Sequence, residues 1–159
     1  MQQRGSIPRR GATISMDFEF HLMRESLEHF AHDCRLLLQQ ALAEVGVGIE
    51  GSCFYASELL HAALQNFWVP GEVGRFSVIE GGDGETDGGI IDANGDLCGH
   101  YWIRAGDTQQ NFVVDITADQ FGLPAILVLP YSVAAEWYRP GSQTTISDHI
   151  KEFGLTAKL

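Results

Sequence analysis

From residue 17 to about residue 45 the chain runs without Pro or Gly, and Leu22, Phe30, Cys34, Leu37, Leu38 and Ala41 recur at spacings near three, four and seven. That period predicts a long amphipathic helix with these residues on its apolar stripe. Residues 46–52 (GVGIEGS) stop it with glycines and offer Ser52 as the cap of a second helix, CFYASELLHAALQNF, whose first turn holds Cys53. From Glu72 onward the apolar period falls to two. Strands are predicted at 72–79, 89–92, 97–105, 110–116 and 125–129. The whole pattern predicts an α+β fold, with two or more helices packed on an antiparallel sheet of about four to five strands.

Two turns bear on how those strands pair. Asn94-Gly95 is a two-residue hairpin signal after Ile90-Ile91-Asp92, and Gly106-Asp107-Thr108 joins HYWIRA to QNFVVDI. If Asp107 and Thr108 form a two-residue loop, His100 lies directly opposite Asp115. His100, Trp102, Val113 and Asp115 then share one face, and Tyr101, Ile103, Phe112, Val114 and Ile116 the other. Both faces are apolar enough to need cover. The helix starting at Cys53 is expected to cover the first and carry its thiol to His100, leaving the long helix or the C-terminal segment for the second.

Residues 1–15 mix Gly, Pro, Ser and Arg without periodicity and read as a flexible arm, leaving 16–159 as a single domain. A chain of 159 residues with 45% apolar and 19% charged residues can bury a sizeable core. Its net charge of −11 argues against nucleic-acid binding, which needs a surplus of Lys and Arg. No stretch approaches a membrane span of about 20 apolar residues, and no secretory leader is legible, so a cytoplasmic protein is expected. Three cysteines, Cys34, Cys53 and Cys98, do not read as a disulfide framework, so a free thiol is expected. Residues 80–96 hold six acids, six glycines and no basic residue, and read as a flexible loop leading into the first hairpin.

Cysteine attacks as a thiolate, and the start of a helix is a place where unpaired N–H groups and the helix dipole favour negative charge. Cys53 after Gly-Ser stands at such a place. The same N–H groups can receive the oxyanion of a tetrahedral intermediate. A carboxylate opposite an imidazole fixes its tautomer and orientation, which is the role open to Asp115 beside His100. The plainer role for Asp115 is to cap the Thr117-Ala118 turn at the strand end.

The order Cys, then His on a strand, then Asp on the next strand resembles the transglutaminase-like superfamily of papain-like cysteine enzymes. GSCFYASELLHAAL is similar to its nucleophile helix, GHYWIR to its His-x-Trp strand, and VVDITADQFG to its Asp-Thr strand end, over roughly residues 50–130. The resemblance implies that family's core and attack of a thiol on an acyl carbon in an amide, peptide or thioester, without a cofactor. Cys53 would be the nucleophile, His100 the general base and acid, and Asp115 the orienting residue. No Gln precedes Cys53 where papain-like enzymes place an oxyanion donor, and Glu50 is the nearest polar residue. The expected oxyanion or substrate groups are the Cys53 backbone N–H with Gln120 or Trp102.

Metal sites read more weakly. Asp92-x-Asn94-x-Asp96 matches half a calcium loop, but Leu97 stands at its glycine position and no Glu closes it. Cys98-x-His100 with Cys53 lacks any zinc-motif spacing. A rival from another class is an idle binding or immunity module of the same fold that engages a basic partner through its acidic loop.

Overall fold

The computed structural model describes residues 11–68 and 74–153. Helix α1 (Gly11–Glu44) leads into α2 (Cys53–Phe67), strands β1 (Phe76–Gly82), β2 (Gly89–Ile91), β3 (Leu97–Cys98), β4 (His100–Gly106) and β5 (Asn111–Asp115), and a 3₁₀ turn (Ala118–Phe121). Strand β6 (Leu127–Pro130), a single helical turn α3 (Tyr131–Ala134), β7 (Tyr138–Arg139) and α4 (Gln143–Phe153) follow. The fold is α+β: an antiparallel four-stranded sheet ordered β1-β4-β5-β6, and a small second sheet ordered β3-β2-β7. Among the described residues no helix is long and apolar enough to cross a membrane.

Of the expected arm at 1–15, residues 1–10 lie outside the described residues, and 11–15 belong to α1. The expected stripe on α1 is also corrected. Leu22, Leu37 and Ala41 are exposed, while Met23, Leu27, Ala31, Cys34 and Leu38 are buried. Steps of four, four, three and four keep these five on one side of a 3.6-residue helix, whereas Leu37 turns about 100° away from its neighbour Leu38.

The predicted strand at 97–105 is two strands in two sheets. Leu97–Cys98 pairs with β2 and His100–Gly106 with β1 and β5. Gly99 makes the switch: a Cβ there would stand 2.7 Å from the Asp83 carbonyl oxygen, so only glycine fits so close an approach. The predicted strand at 72–79 begins at Phe76 among the described residues and runs on to Gly82, taking in the front of the supposed loop.

Both turns are longer than two residues. The first closes around 93–95: the Asp92 N–H donates to the Asp96 carbonyl at 2.9 Å, the Asp92 carboxylate accepts the N–H of Asn94 and Asp96, and Gly95 takes φ +89°. The second spans 107–110, with the Asp107 carboxylate accepting the N–H of Gln109 and Gln110. Gly106 therefore pairs with Asn111, and the ladder runs to Ile103 opposite Val114. The register is displaced by two residues from the expected one. A two-residue shift leaves every side chain on its expected face.

The long helix covers the face expected of it, but the expectation for α2 is corrected. Both α1 and α2 pack on the face of Tyr101, Ile103, Phe112, Val114 and Ile116. The face of Trp102 and Val113 is covered by Ile90, Ala134 and Tyr138, from β2, α3 and β7. The Tyr101 face carries more of the buried apolar side chains, so the long helices bury more apolar area there.

Candidate active site

His100 is fully buried at the first residue of β4, and Asp115 is 1% exposed at the last residue of β5. Continued pairing would set Asp115 opposite Trp102, so His100 reaches it along the diagonal, a span long side chains can bridge. Its Nε2 meets Asp115 Oδ2 at 2.6 Å. That carboxylate is held from three further sides: Tyr138 Oη donates to Oδ2 at 2.8 Å, and Thr117 donates to Oδ1 from its backbone N–H at 2.9 Å and its hydroxyl at 3.4 Å. Asp115 thus caps the Thr117 turn and orients His100 together.

Aromatic rings pack around the imidazole. Phe121 lies edge-on at 4.7 Å between centroids, with Trp102 at 6.1 Å and Tyr138 at 6.5 Å. Burial alone pulls the His100 pKa down, but the charge and hydrogen bond of Asp115, joined by the Cys53 thiol, outweigh it and raise the value to about 9. Burial, then the charge of Asp115, pushes the Tyr138 hydroxyl well above its ordinary value, so it stays a protonated donor.

Cys53 is partly exposed at the first residue of α2. It lies close enough to His100 to help hold the imidazole's pKa up. With Nε2 committed to Asp115, the other ring nitrogen, Nδ1, is buried and has no hydrogen-bond partner among the described residues. The expected delivery of the thiol across the His100 face is corrected, since α2 covers the other face of the sheet. Cys53 and His100 stand at the first residues of α2 and β4.

Ser52 does not cap α2 with its side chain; its hydroxyl donates to the Ile49 carbonyl at 2.6 Å. The Ser57 hydroxyl donates to the Cys53 carbonyl at 2.8 Å. Gln120 is close to the site in another role than expected. Its Oε1 accepts the Gly51 N–H at 2.8 Å and its Nε2 donates to the Thr117 carbonyl at 3.3 Å, which ties the turn before Cys53 to the turn after Asp115. Trp102 is 1% exposed and packs edge-on to Tyr138 at 4.9 Å, on a small cavity of about 40 Å³ away from the thiol. It does not line the groove at Cys53, whose walls are Gly51, Phe54, Tyr55, Tyr101 and His149.

Sequence reasoning missed Tyr138, Phe121, His149 and Arg35. Arg35 is buried on α1 and grips Asp119 with both nitrogens, at 2.9 and 2.7 Å, while donating to the Ile116 carbonyl at 2.7 Å. Hydrogen bonding to Arg35 lowers the Asp119 pKa. The signal for Arg35 was legible, because a cation four residues after Ala31 falls on the helix's buried side. Tyr138 sits on a two-residue strand, too short for any period.

The acidic segment is tied into the fold. Glu80 is buried against Arg104, Nε to Oε1 at 2.6 Å. The Asp83 carboxylate accepts the N–H groups of Glu85, Thr86 and Asp87, and these bonds with the Thr86 hydroxyl lower its pKa. Asp87 accepts from the Ser142 N–H and the Thr145 hydroxyl at the start of α4. The expected loop over 80–96 is thus cut back, since β1 runs to Gly82 and β2 starts at Gly89, and the segment between them is braced by its own acids. Among the described residues no three His, Cys, Asp or Glu side chains gather as metal ligands. Comparison with protein-family models, with curated proteins and with solved structures gave no match.

Proposed function

We propose that this chain is a cysteine-dependent hydrolase or acyl transferase of the transglutaminase-like type, acting on an amide, peptide or thioester carbonyl through Cys53, His100 and Asp115. The observation that carries this reading is a fully buried imidazole with one nitrogen fixed by a buried carboxylate and the other without a hydrogen-bond partner among the described residues, near a partly exposed thiol at a helix start. Such a constellation matches the requirements of nucleophile, base and orienting group.

The Cys53 proton rests on His100 Nδ1 before attack, and the sulfur bonds to the acyl carbon beside that imidazolium. His100 returns that proton to the departing amine or thiol, leaving a thioester on Cys53. His100 then takes a proton from water or an acceptor amine, whose attack releases the acid or new amide and restores the thiol. Asp115 keeps the ring in the tautomer that can accept at Nδ1 and stabilises its charged form.

The other two thiols supply an internal control. Burial, then the charge of Asp33, pushes Cys34 up to about 11, and burial with Asp92 raises Cys98. With limiting iodoacetamide at pH 6, Cys53 is expected to be labelled first, and His100→Gln to slow that labelling about a hundredfold or more. Cys53→Ala is expected to abolish acyl transfer with circular dichroism unchanged. Labelling of Cys53 no faster than Cys98, or indifferent to His100→Gln in a folded variant, would remove the triad.

A further inference from the structure

We propose that the groove beside Cys53 receives a large apolar or aromatic side chain of the acyl substrate, held by a wall of Phe54, Tyr55, Tyr101 and His149. The proposal rests on Cys53 being the nucleophile, since that places the acyl carbon at one end of the groove. The cavity measures about 280 Å³, room for a side chain and its carbonyl but small for a cofactor.

The lining is the argument for the class of substrate. The chain carries a net charge of −11, which by itself favours a cationic partner. Yet among the described residues lining this groove none is Asp, Glu, Lys or Arg, and three of the six are Phe or Tyr. The rings also brace one another. Phe54 meets Tyr101 edge-on at 5.2 Å and 84°, and His149 stands edge-on to Tyr101 at 5.5 Å and to Phe54 at 6.3 Å. The Tyr101 hydroxyl is hydrogen-bonded to His149 Nδ1, so these two polar atoms of the wall satisfy each other. A preformed aromatic wall loses little rotamer freedom on binding and gains by apolar burial. His149 comes from α4, so the C-terminal helix becomes part of the substrate site.

The test uses 2-chloroacetamides bearing N-methyl, N-benzyl, N-carboxymethyl or N-aminoethyl groups on the full chain. Each reacts as the Cys53 sulfur bonds to the methylene carbon and chloride leaves, the thiol proton passing to His100 or buffer. Second-order rate constants are read by intact mass, with the site assigned by peptide mapping. The benzyl probe is expected to outrun the methyl probe by about tenfold or more and to outrun both charged probes. Tyr55→Ala, at an exposed position that can lose its ring without opening the core, is expected to shrink the benzyl to methyl ratio.

Equal benzyl and methyl rates, or preference for the aminoethyl probe, would overturn the proposal. His100→Gln separates it from the reading beneath it. Slowing of every probe there with the benzyl preference retained supports the groove and the triad together. Fast labelling without preference in the unaltered chain sinks the groove alone, and indifference to His100→Gln with preference retained sinks the triad alone.

Discussion

The two faces of the central sheet are built from alternate residues of the same strands, yet they have opposite chemistry. On one, Tyr101, Ile103, Ala105, Phe112, Val114 and Ile116 are buried against the two long helices. On the other, Glu80 pairs with Arg104, and His100 and Asp115 are joined with Tyr138 among Trp102 and Val113. The second face is deeply buried around His100 and Asp115 and shallower at Arg104. The apolar face needs only volume and shape, so substitutions there trade contact area for stability. The polar face needs each buried donor and acceptor matched, because an unmatched buried group costs more than a typical hydrogen bond contributes. A single atom exchanged on that face is therefore expected to reach the chemistry, and one in the apolar cluster away from the Cys53 groove is not.

Asp115→Asn should show the largest effect. Replacing one carboxylate oxygen hardly changes volume, but it removes the charge that holds His100 protonated and its tautomer fixed. We expect acyl transfer to fall about 10³- to 10⁴-fold, a loss far beyond that in stability. The pH dependence sharpens the point. The folded His100 value lies near 9, above its ordinary 6.5, so the stability this group contributes is complete below 6.5 and lost as pH rises through 9. The thermal midpoint of the unaltered chain should fall across that window by more than the mutant's does. Parallel curves for the two proteins would mean that Asp115 does not set the His100 charge.

Much of this contrast between faces was legible in the sequence, for a reason that also explains the errors. Strand side chains alternate with period two, so His100 and Asp115 stay on one face under any even error of register. The turn at 107–110 produced such an error, because Asp107 closes it with its own carboxylate rather than through a two-residue loop. Helix packing was not legible: which face receives α2 depends on total apolar area, to which Phe54, Leu60 and Leu64 contribute from far along the chain. Nor was Tyr138, which β2 and β7 bring to Asp115 through pairing of Ile90 with Tyr138. A partner 23 residues beyond Asp115 on a two-residue strand leaves no pattern to read.

Tyr138→Phe should rank next. The ring stays packed on Trp102 and only the hydroxyl at 2.8 Å from Asp115 Oδ2 is lost. Removing a hydrogen bond to a buried charge is expected to cost about 1.5–3 kcal/mol in urea unfolding. Labelling of Cys53 at pH 6 should slow by a smaller factor than in Asp115→Asn, because the carboxylate remains beside His100. A variant as slow as Asp115→Asn would make Tyr138 a full member of the constellation; one with unchanged stability and labelling would make its bond to Asp115 incidental.

Cys34→Ala is the counterpart on the apolar side and the smallest of the expected effects. Cys34 is 2% exposed on the buried stripe of α1, and its thiol, pushed up to about 11, stays protonated across neutral pH. Removing one buried sulfur is expected to cost on the order of 1 kcal/mol, the scale of a small core truncation. The pH profile of Cys53 labelling should overlay that of the unaltered chain, since Cys34 belongs to the cluster beneath the helices and not to the His100 face. The two readouts are thus predicted to separate: stability moves and reactivity does not, the opposite of Asp115→Asn. A shifted labelling profile in folded Cys34→Ala would show that α1 packing sets the position of Cys53, and the two faces would then be one coupled unit.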